Sequence, residues 1–174
     1  MAKPAAAEQS DISIAPATVA DVPHILRFIR GLAEYEKLSH ACVATEELLR
    51  RTLFGERPAA EVLIARLGGT PVGFALFFQS YSTFLAQPGI YLEDVFVLPE
   101  HRGRGVGKAL LVQLAQLARE RDCGRLEWSV LDWNAPSIEF YQRLGATVMP
   151  DWRICRMTPA EIAKLAESSG GVKP

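Results

Sequence analysis

The sequence predicts an α/β fold in which a mixed sheet is covered by helices. Two amphipathic runs supply the main helices. Val22, Ile25, Leu26, Phe28, Ile29, Leu32 and Ala33 form the first, and Val106, Leu110, Leu111, Leu114, Leu117 and Ala118 form the second, each with its apolar side chains at helical spacing. Between them lie apolar stretches of strand length, bounded by glycine and proline. Gly68-Gly69-Thr70 joins the first two stretches, and paired glycines tolerate the positive backbone dihedrals of a tight antiparallel hairpin.

In chain order, Asp11 to Ala15 is expected as a first strand, ended by Pro16. Asp21 stands where it caps the first turn of the helix that follows. Lys37 to Ala44 connects to a second short helix over Glu46 to Phe54, which Glu56-Arg57-Pro58 closes. The hairpin strands are Glu61 to Arg66 and Val72 to Gln79, and the loop Thr83 to Gly89 leads to a strand over Ile90 to Val97 that stops at Pro99. The second amphipathic helix reaches Arg121 and Gly124 breaks it. Arg125 to Leu131 is the next strand, and Pro136 to Leu144 is a helix ended by Gly145. A last strand is expected within Ala146 to Met157, interrupted by Pro150-Asp151. Thr158-Pro159-Ala160-Glu161 has capping-box spacing with proline at the first helical position, which predicts a short terminal helix.

At 174 residues the chain holds one good core. No repeat, low-complexity block or long linker divides it, so one domain is expected over 11–157, after a flexible leader at 1–10 and before a short helix and tail over 158–174. The 19 basic and 20 acidic side chains nearly cancel, so no net field recommends nucleic acid or an anionic membrane as partner. Cys42, Cys123 and Cys155 are odd in number and widely spaced, which speaks against a disulfide framework or a sulfur-rich zinc site. His24, His40 and His101 form no close ligand cluster, so no metal is expected. Without a signal-peptide pattern or an apolar stretch of membrane length, a cytoplasmic location is the default.

The chemistry-bearing motif is Arg102-Gly103-Arg104-Gly105-Val106-Gly107-Lys108, set between a strand and a helix. Unpaired N–H groups at a helix start face an incoming anion, and glycines let phosphate oxygens approach the chain. A phosphorylated cofactor is therefore expected. A Walker A loop is excluded, because Arg102 stands where its first glycine belongs and Ala109 where its Ser or Thr belongs. The dinucleotide fingerprint fails as well, since Lys108 replaces its third glycine.

Arg102, Gly105 and Gly107 satisfy Arg/Gln-x-x-Gly-x-Gly/Ala, and the segment resembles the acetyl-coenzyme A signature of the GNAT acetyltransferases. Four further stretches resemble the diamine, polyamine and thialysine acetyltransferases within that superfamily: Ala33-Glu34-Tyr35-Glu36-Lys37-Leu38-Ser39, Tyr91-Leu92-Glu93-Asp94-Val95-Phe96-Val97, Trp133-Asn134-Ala135-Pro136-Ser137-Ile138-Glu139-Phe140-Tyr141 and Gly145-Ala146. The resemblance runs in order from Ile12 to Met157. It implies a GNAT-like, mostly antiparallel twisted sheet flanked by helices on both faces. It also implies acetyl transfer from acetyl-CoA to a primary amine of a small diamine, polyamine or lysine-like amino acid such as thialysine.

The same resemblance implies roles. Tyr141 is the general acid near the coenzyme sulfur, and Glu93 helps accept the amine proton. Backbone N–H groups around Val95, Phe96 and Val97 bind the pantetheine and polarise the thioester carbonyl, the turn from Arg102 to Lys108 holds the phosphates, and Asn134 and Ser137 join the cofactor side. Glu34, Tyr35, Glu36, Glu93, Asp94 and Trp152 make the acceptor side. Lys37-Leu38-Ser39-His40 is less acidic than its counterpart in polyamine-selective relatives and resembles the thialysine branch. A homodimer with C-terminal strands near its interface follows from the same comparison.

By themselves the residues leave other readings open. Tyr141 also fits a ring packed beneath its helix, Arg102 and Lys108 fit solvated surface groups, Trp133 and Trp152 fit packing, and Glu34 and Glu36 fit a solvated face. Glu93 and Asp94 alternate along a strand, so they are expected on opposite faces. Asn134 and Tyr141, nearly two helical turns apart, fall on one side of their helix. Cys123 reads as a small buried or half-buried residue, because no activating base is identifiable, and direct transfer to the amine is expected. Acetyl transfer to an aminoglycoside or a protein amine, and a non-catalytic coenzyme A-binding regulatory protein, are the alternatives.

Overall fold

The structure is a computed structural model that describes residues 11–168; the expected leader and the end of the expected tail lie outside the described residues. Residues up to Ser129 make one compact unit and those from Val130 onward a second. The first contains β1 (Ile12–Pro16), α1 (Val22–Tyr35), α2 (Glu46–Phe54), β2 (Glu61–Leu67), β3 (Thr70–Ser82), β4 (Gln87–Val97), α3 (Val106–Glu120) and β5 (Arg125–Trp128). The strands lie side by side in chain order. β1 through β4 are antiparallel and β5 joins β4 in parallel, which is the mixed, mostly antiparallel sheet the sequence predicts.

Strand alternation gives the sheet two buried faces. Val62, Ile64, Phe74 and Phe96 pack with Val22, Ile25, Leu26 and Phe28 of α1, where the Phe28 and Phe74 rings stack at 5.6 Å. Leu63, Ala65 and Phe77 alternate to the other side and are also buried. There Arg121, just past the end of α3, lies over the Phe77 ring at 5.8 Å, and the apolar side of α3 carries buried Leu110, Leu111 and Leu114. Helices therefore cover both faces.

The two-residue hairpin turn forms as predicted, with φ of 54° at Gly68 and 81° at Gly69. Asp21 differs from its expected role. It ends a 3-10 turn over Val19–Asp21 and makes no side-chain bond to the first turn of α1. Its carboxylate instead accepts from the Thr18 N–H at 2.9 Å and the Thr18 hydroxyl at 3.1 Å, and it pairs with Arg66 of β2. Buried Asp21 thus ties the helix entrance to the sheet. The loop before β4 is shorter than expected, since Ser82 and Gln87 already pair, and β5 ends at Trp128 rather than Leu131.

The second unit carries α4 (Ala135–Arg143) and α5 (Pro159–Glu167). The terminal capping box forms: the Thr158 N–H donates to the Glu161 carboxylate at 2.7 Å and the Glu161 N–H to the Thr158 hydroxyl at 3.4 Å. Those bonds hold the Glu161 carboxyl below its usual range. The strand expected within Ala146 to Met157 does not form. Pro150 has no N–H to give a ladder, and Thr147 to Met157 is exposed, so water rather than a neighbouring strand meets its backbone groups. Among the described residues no helix is long and apolar enough to cross a membrane.

Candidate active site

The register of β3 and β4 slips once. Leu92 faces Phe77 and Asp94 faces Leu76, leaving Glu93 as the extra residue of a β-bulge. Leu92 and Asp94, two residues apart, therefore fall on opposite faces, because a bulge resets the period. Before it, Leu92 follows Phe77 onto the α3 side of the sheet. After it, Asp94 follows Leu76 onto the α1 side.

Asp94 there meets like charge. Its carboxyl is pushed up to about 6, first by burial and then by the charges of Glu93 and Glu36. Glu36, just past the end of α1, is itself raised by burial, whereas Glu93 and Glu34 are exposed. Three of the predicted acceptor-side carboxylates, Glu36, Glu93 and Asp94, thus form one electrostatic group at the end of α1 and the bulge of β4. Glu34 is not part of it.

Tyr35, the last residue of α1, meets a different partner. The Arg102 guanidinium lies 5.0 Å from the centre of the Tyr35 ring and 5.5 Å from that of Phe96, and its Nε donates to the Val97 carbonyl at 3.0 Å. The Arg102 side chain turns back onto the end of β4.

Past Arg102 the chain takes the left-handed conformation at Gly103 (φ 74°) and Gly105 (φ 84°), the latter capping α3. A side-chain carbon added at Gly103 would meet nothing within 4 Å, and one at Gly105 only the tip of Ile12 at 4.0 Å. The outer side of this turn is open. The first helical bond runs from the Ala109 N–H to the Gly105 carbonyl, so the N–H groups of Val106, Gly107 and Lys108 precede the intrahelical ladder. An open, glycine-lined helix start flanked by exposed Arg104 and Lys108 fits the phosphates of a coenzyme A.

In the second unit Asn134 caps α4 and is buried, its side chain accepting from the Ser137 N–H at 3.4 Å. Tyr141 is half-buried on the same helix, beside the Phe140 ring at 5.4 Å. Trp152 lies in the irregular segment and is 73% exposed. Cys123 is half-buried, its thiol 3.9 Å from the Arg121 carbonyl, which agrees with a structural reading.

The acetyltransferase (GNAT) family matches residues 29–146, most of the chain, from within α1 to just past the end of α4. This chain belongs to the GNAT acetyltransferase family. It is 39% identical over 166 residues to a thialysine N-epsilon-acetyltransferase of Bos taurus, covering 89% of this chain and 97% of that protein. It is 35% identical over 187 residues to an L-ornithine N5-acetyltransferase of Arabidopsis thaliana, covering 82% of each. Among solved structures, an integron cassette protein of V. cholerae superposes with a TM-score of 0.76 at 24% identity, covering 90% of this chain and 98% of that one, and supports the fold. The chain is an acetyl-CoA-dependent GNAT enzyme that transfers acetyl groups to amines.

Three site features escaped the sequence reading of this GNAT chain. The bulge at Glu93 depends on where β3 pairs. The Arg102 stack joins residues from three separate segments. Gly31 of α1, the third, sits where a side-chain carbon would come within 2.8 Å of the Phe96 ring. A glycine inside a strongly periodic helix is the one signal that marks such a close approach.

Proposed function

We propose that this enzyme acetylates the primary amine of a small diamine, polyamine or lysine-like amino acid such as thialysine. The observation that carries the reading is the group of carboxylates formed by Glu36, just past the end of α1, with Glu93 and Asp94 on the strand that leads into the glycine-rich turn. A cationic acceptor relieves the mutual repulsion of these carboxylates, which an uncharged acceptor does not. The relatives acting on thialysine and ornithine support the same acceptor class.

In this proposal the open N–H groups at the start of α3, with Arg104 and Lys108, hold the phosphates. Arg102 and Gly103 serve through their main chain. Backbone N–H groups from Val95 to Val97 orient the pantetheine, with Asn134 and Ser137 completing that side. When bound, acetyl-CoA supplies an activated acyl group and a thiolate leaving group. Asp94, Glu36 and Tyr35 orient the ammonium, and the family resemblance assigns Glu34 and Trp152 to acceptor recognition as well. Glu93, exposed on its bulge, takes up the proton that frees the amine lone pair, and the Tyr141 hydroxyl delivers a proton to the departing sulfur. The enzyme works as a homodimer in this proposal. Supporting that is the apolar surface of the second unit, where Met149, Trp152, Ile154, Met157, Ile162 and Leu165 are each more than half exposed.

The test is coenzyme A release from acetyl-CoA with thialysine, lysine, ornithine, putrescine, spermidine and an aminoglycoside, the products confirmed by mass. Preference for a small cationic amine supports the proposal. Turnover only with the aminoglycoside, or coenzyme A binding without transfer to any of these amines, overturns it.

A further inference from the structure

We propose that Arg102 is a positioning residue that fastens the acceptor end of α1 to the cofactor strand β4, so that the two substrates are held in register by one side chain. The residue begins the turn proposed to hold phosphate, yet its guanidinium is committed elsewhere. Nε donates to the Val97 carbonyl, the last residue of β4, at 3.0 Å. The guanidinium lies within cation–π reach of two rings, Tyr35 of α1 at 5.0 Å and Phe96 of β4 at 5.5 Å.

The helix is shaped to receive this contact. Gly31 and Tyr35 are four residues apart and share a face of α1. At Gly31 the missing side chain lets the helix settle onto the Phe96 ring, where a Cβ would come within 2.8 Å. One turn later Tyr35 meets the guanidinium that covers the same ring. Immediately beyond, Lys37 takes a left-handed φ of 61° and the helix ends. Glu36 follows Tyr35, so whatever fixes the Tyr35 ring also fixes the distance from Glu36 to Asp94. A planar guanidinium donates from Nε while lying against rings. A lysine ammonium has no such fork and cannot take this arrangement.

The inference rests on the acceptor-side reading given above. The proposed test measures amine KM at saturating acetyl-CoA, coenzyme A Kd by calorimetry, and amide hydrogen exchange of Leu32 to Glu36 in the unliganded protein. Arg102→Met and Arg102→Lys are both expected to raise amine KM roughly tenfold, the order that one charge-assisted hydrogen bond and its ring contacts support, with coenzyme A Kd within about twofold of the parent. Both are expected to speed exchange in the last turn of α1. In the exchange measurement Tyr35→Leu reproduces the effect, and Tyr35→Leu combined with Arg102→Met is no faster than either alone.

A coenzyme A Kd that rises as much as the amine KM overturns the proposal, as does restoration by Arg102→Lys, because both describe a simple phosphate contact. Unchanged exchange at the end of α1 overturns it as well. If the parent enzyme acetylates no small amine, the acceptor reading has failed, and the exchange measurement alone then decides whether Arg102 tethers the helix.

Discussion

Tyr91 and Asp94, three residues apart on β4, present their side chains to the same face of the sheet. Tyr91 faces Phe78, their rings 5.2 Å apart, and Asp94 faces Leu76, two residues from Phe78 on an uninterrupted part of β3. In a regular strand an odd separation puts side chains on opposite faces. The bulge at Glu93 absorbs the difference and turns a carboxylate toward the end of α1, where Glu36 already stands. Without it Asp94 would follow Leu92 to the α3 side, among apolar neighbours.

The charge on Asp94 makes stability depend on pH. Its carboxyl is raised from the ordinary 3.8 to about 6 by burial, then by Glu93 and Glu36. Below about pH 4 it is protonated in both the folded and the unfolded chain. Between there and about pH 6 the folded chain keeps a proton that the unfolded chain releases, so this contribution to stability falls as pH rises and then levels off. Asp94→Asn removes the slope. Relative to the parent, the variant should gain roughly 1–3 kcal/mol between pH 4 and pH 7, measured by urea unfolding at both values. An equal difference at the two pH values would contradict the raised carboxyl.

Gly105 tests the open turn. With φ at 84°, a β-branched residue there is strained by about 1–2 kcal/mol, and its side chain stands where a phosphate would approach. Gly105→Val should weaken coenzyme A binding by roughly tenfold or more in calorimetry, a factor beyond what its modest stability loss explains. Gly105→Ala adds a carbon whose nearest neighbour is 4.0 Å away, and should fall between. Parent-like affinity for Gly105→Val would move the phosphate site elsewhere.

Features set by local chemistry were legible in the sequence. The Gly68-Gly69 turn, the apolar stripe of α1, the glycine-rich start of α3 and the Thr158–Glu161 box each depend on residues within one or two turns of chain. What escaped depends on pairing at a distance. Nothing near Glu93 marks it as a bulge, because the slip exists only relative to β3. Nothing near Arg102 announces that its side chain turns toward Tyr35, nearly seventy residues earlier, instead of into the turn it opens. The strand expected within Ala146 to Met157 failed for the converse reason. Its residue pattern was adequate, but a strand also needs a neighbouring backbone, which this exposed segment lacks.

Gly31 offers a test of the close approach between α1 and β4. On an isolated helix Gly→Ala stabilises by about 1 kcal/mol. Here the new carbon would lie 2.8 Å and 2.9 Å from two carbons of the Phe96 ring, which is itself only 4% exposed and has little room to retreat. Overpacking should outweigh propensity, leaving Gly31→Ala destabilised by roughly 1–3 kcal/mol in urea unfolding. In a Phe96→Leu background the penalty should shrink or reverse. A penalty that persists there would point to a contact other than the ring.

Tyr141 separates chemistry from binding. Its phenol is half-buried on α4, two turns beyond the Asn134 cap, and in the proposed mechanism it gives a proton to the departing sulfur. Tyr141→Phe keeps the ring, and with it any packing beside Phe140, while removing only the hydroxyl. The rate with the best acceptor should then fall by about a hundredfold, with coenzyme A Kd within about twofold of the parent. If Tyr141 served only as packing, the phenylalanine would be nearly silent in both measurements. A loss confined to Kd would make the hydroxyl a cofactor contact. The leaving sulfur would then need another proton source.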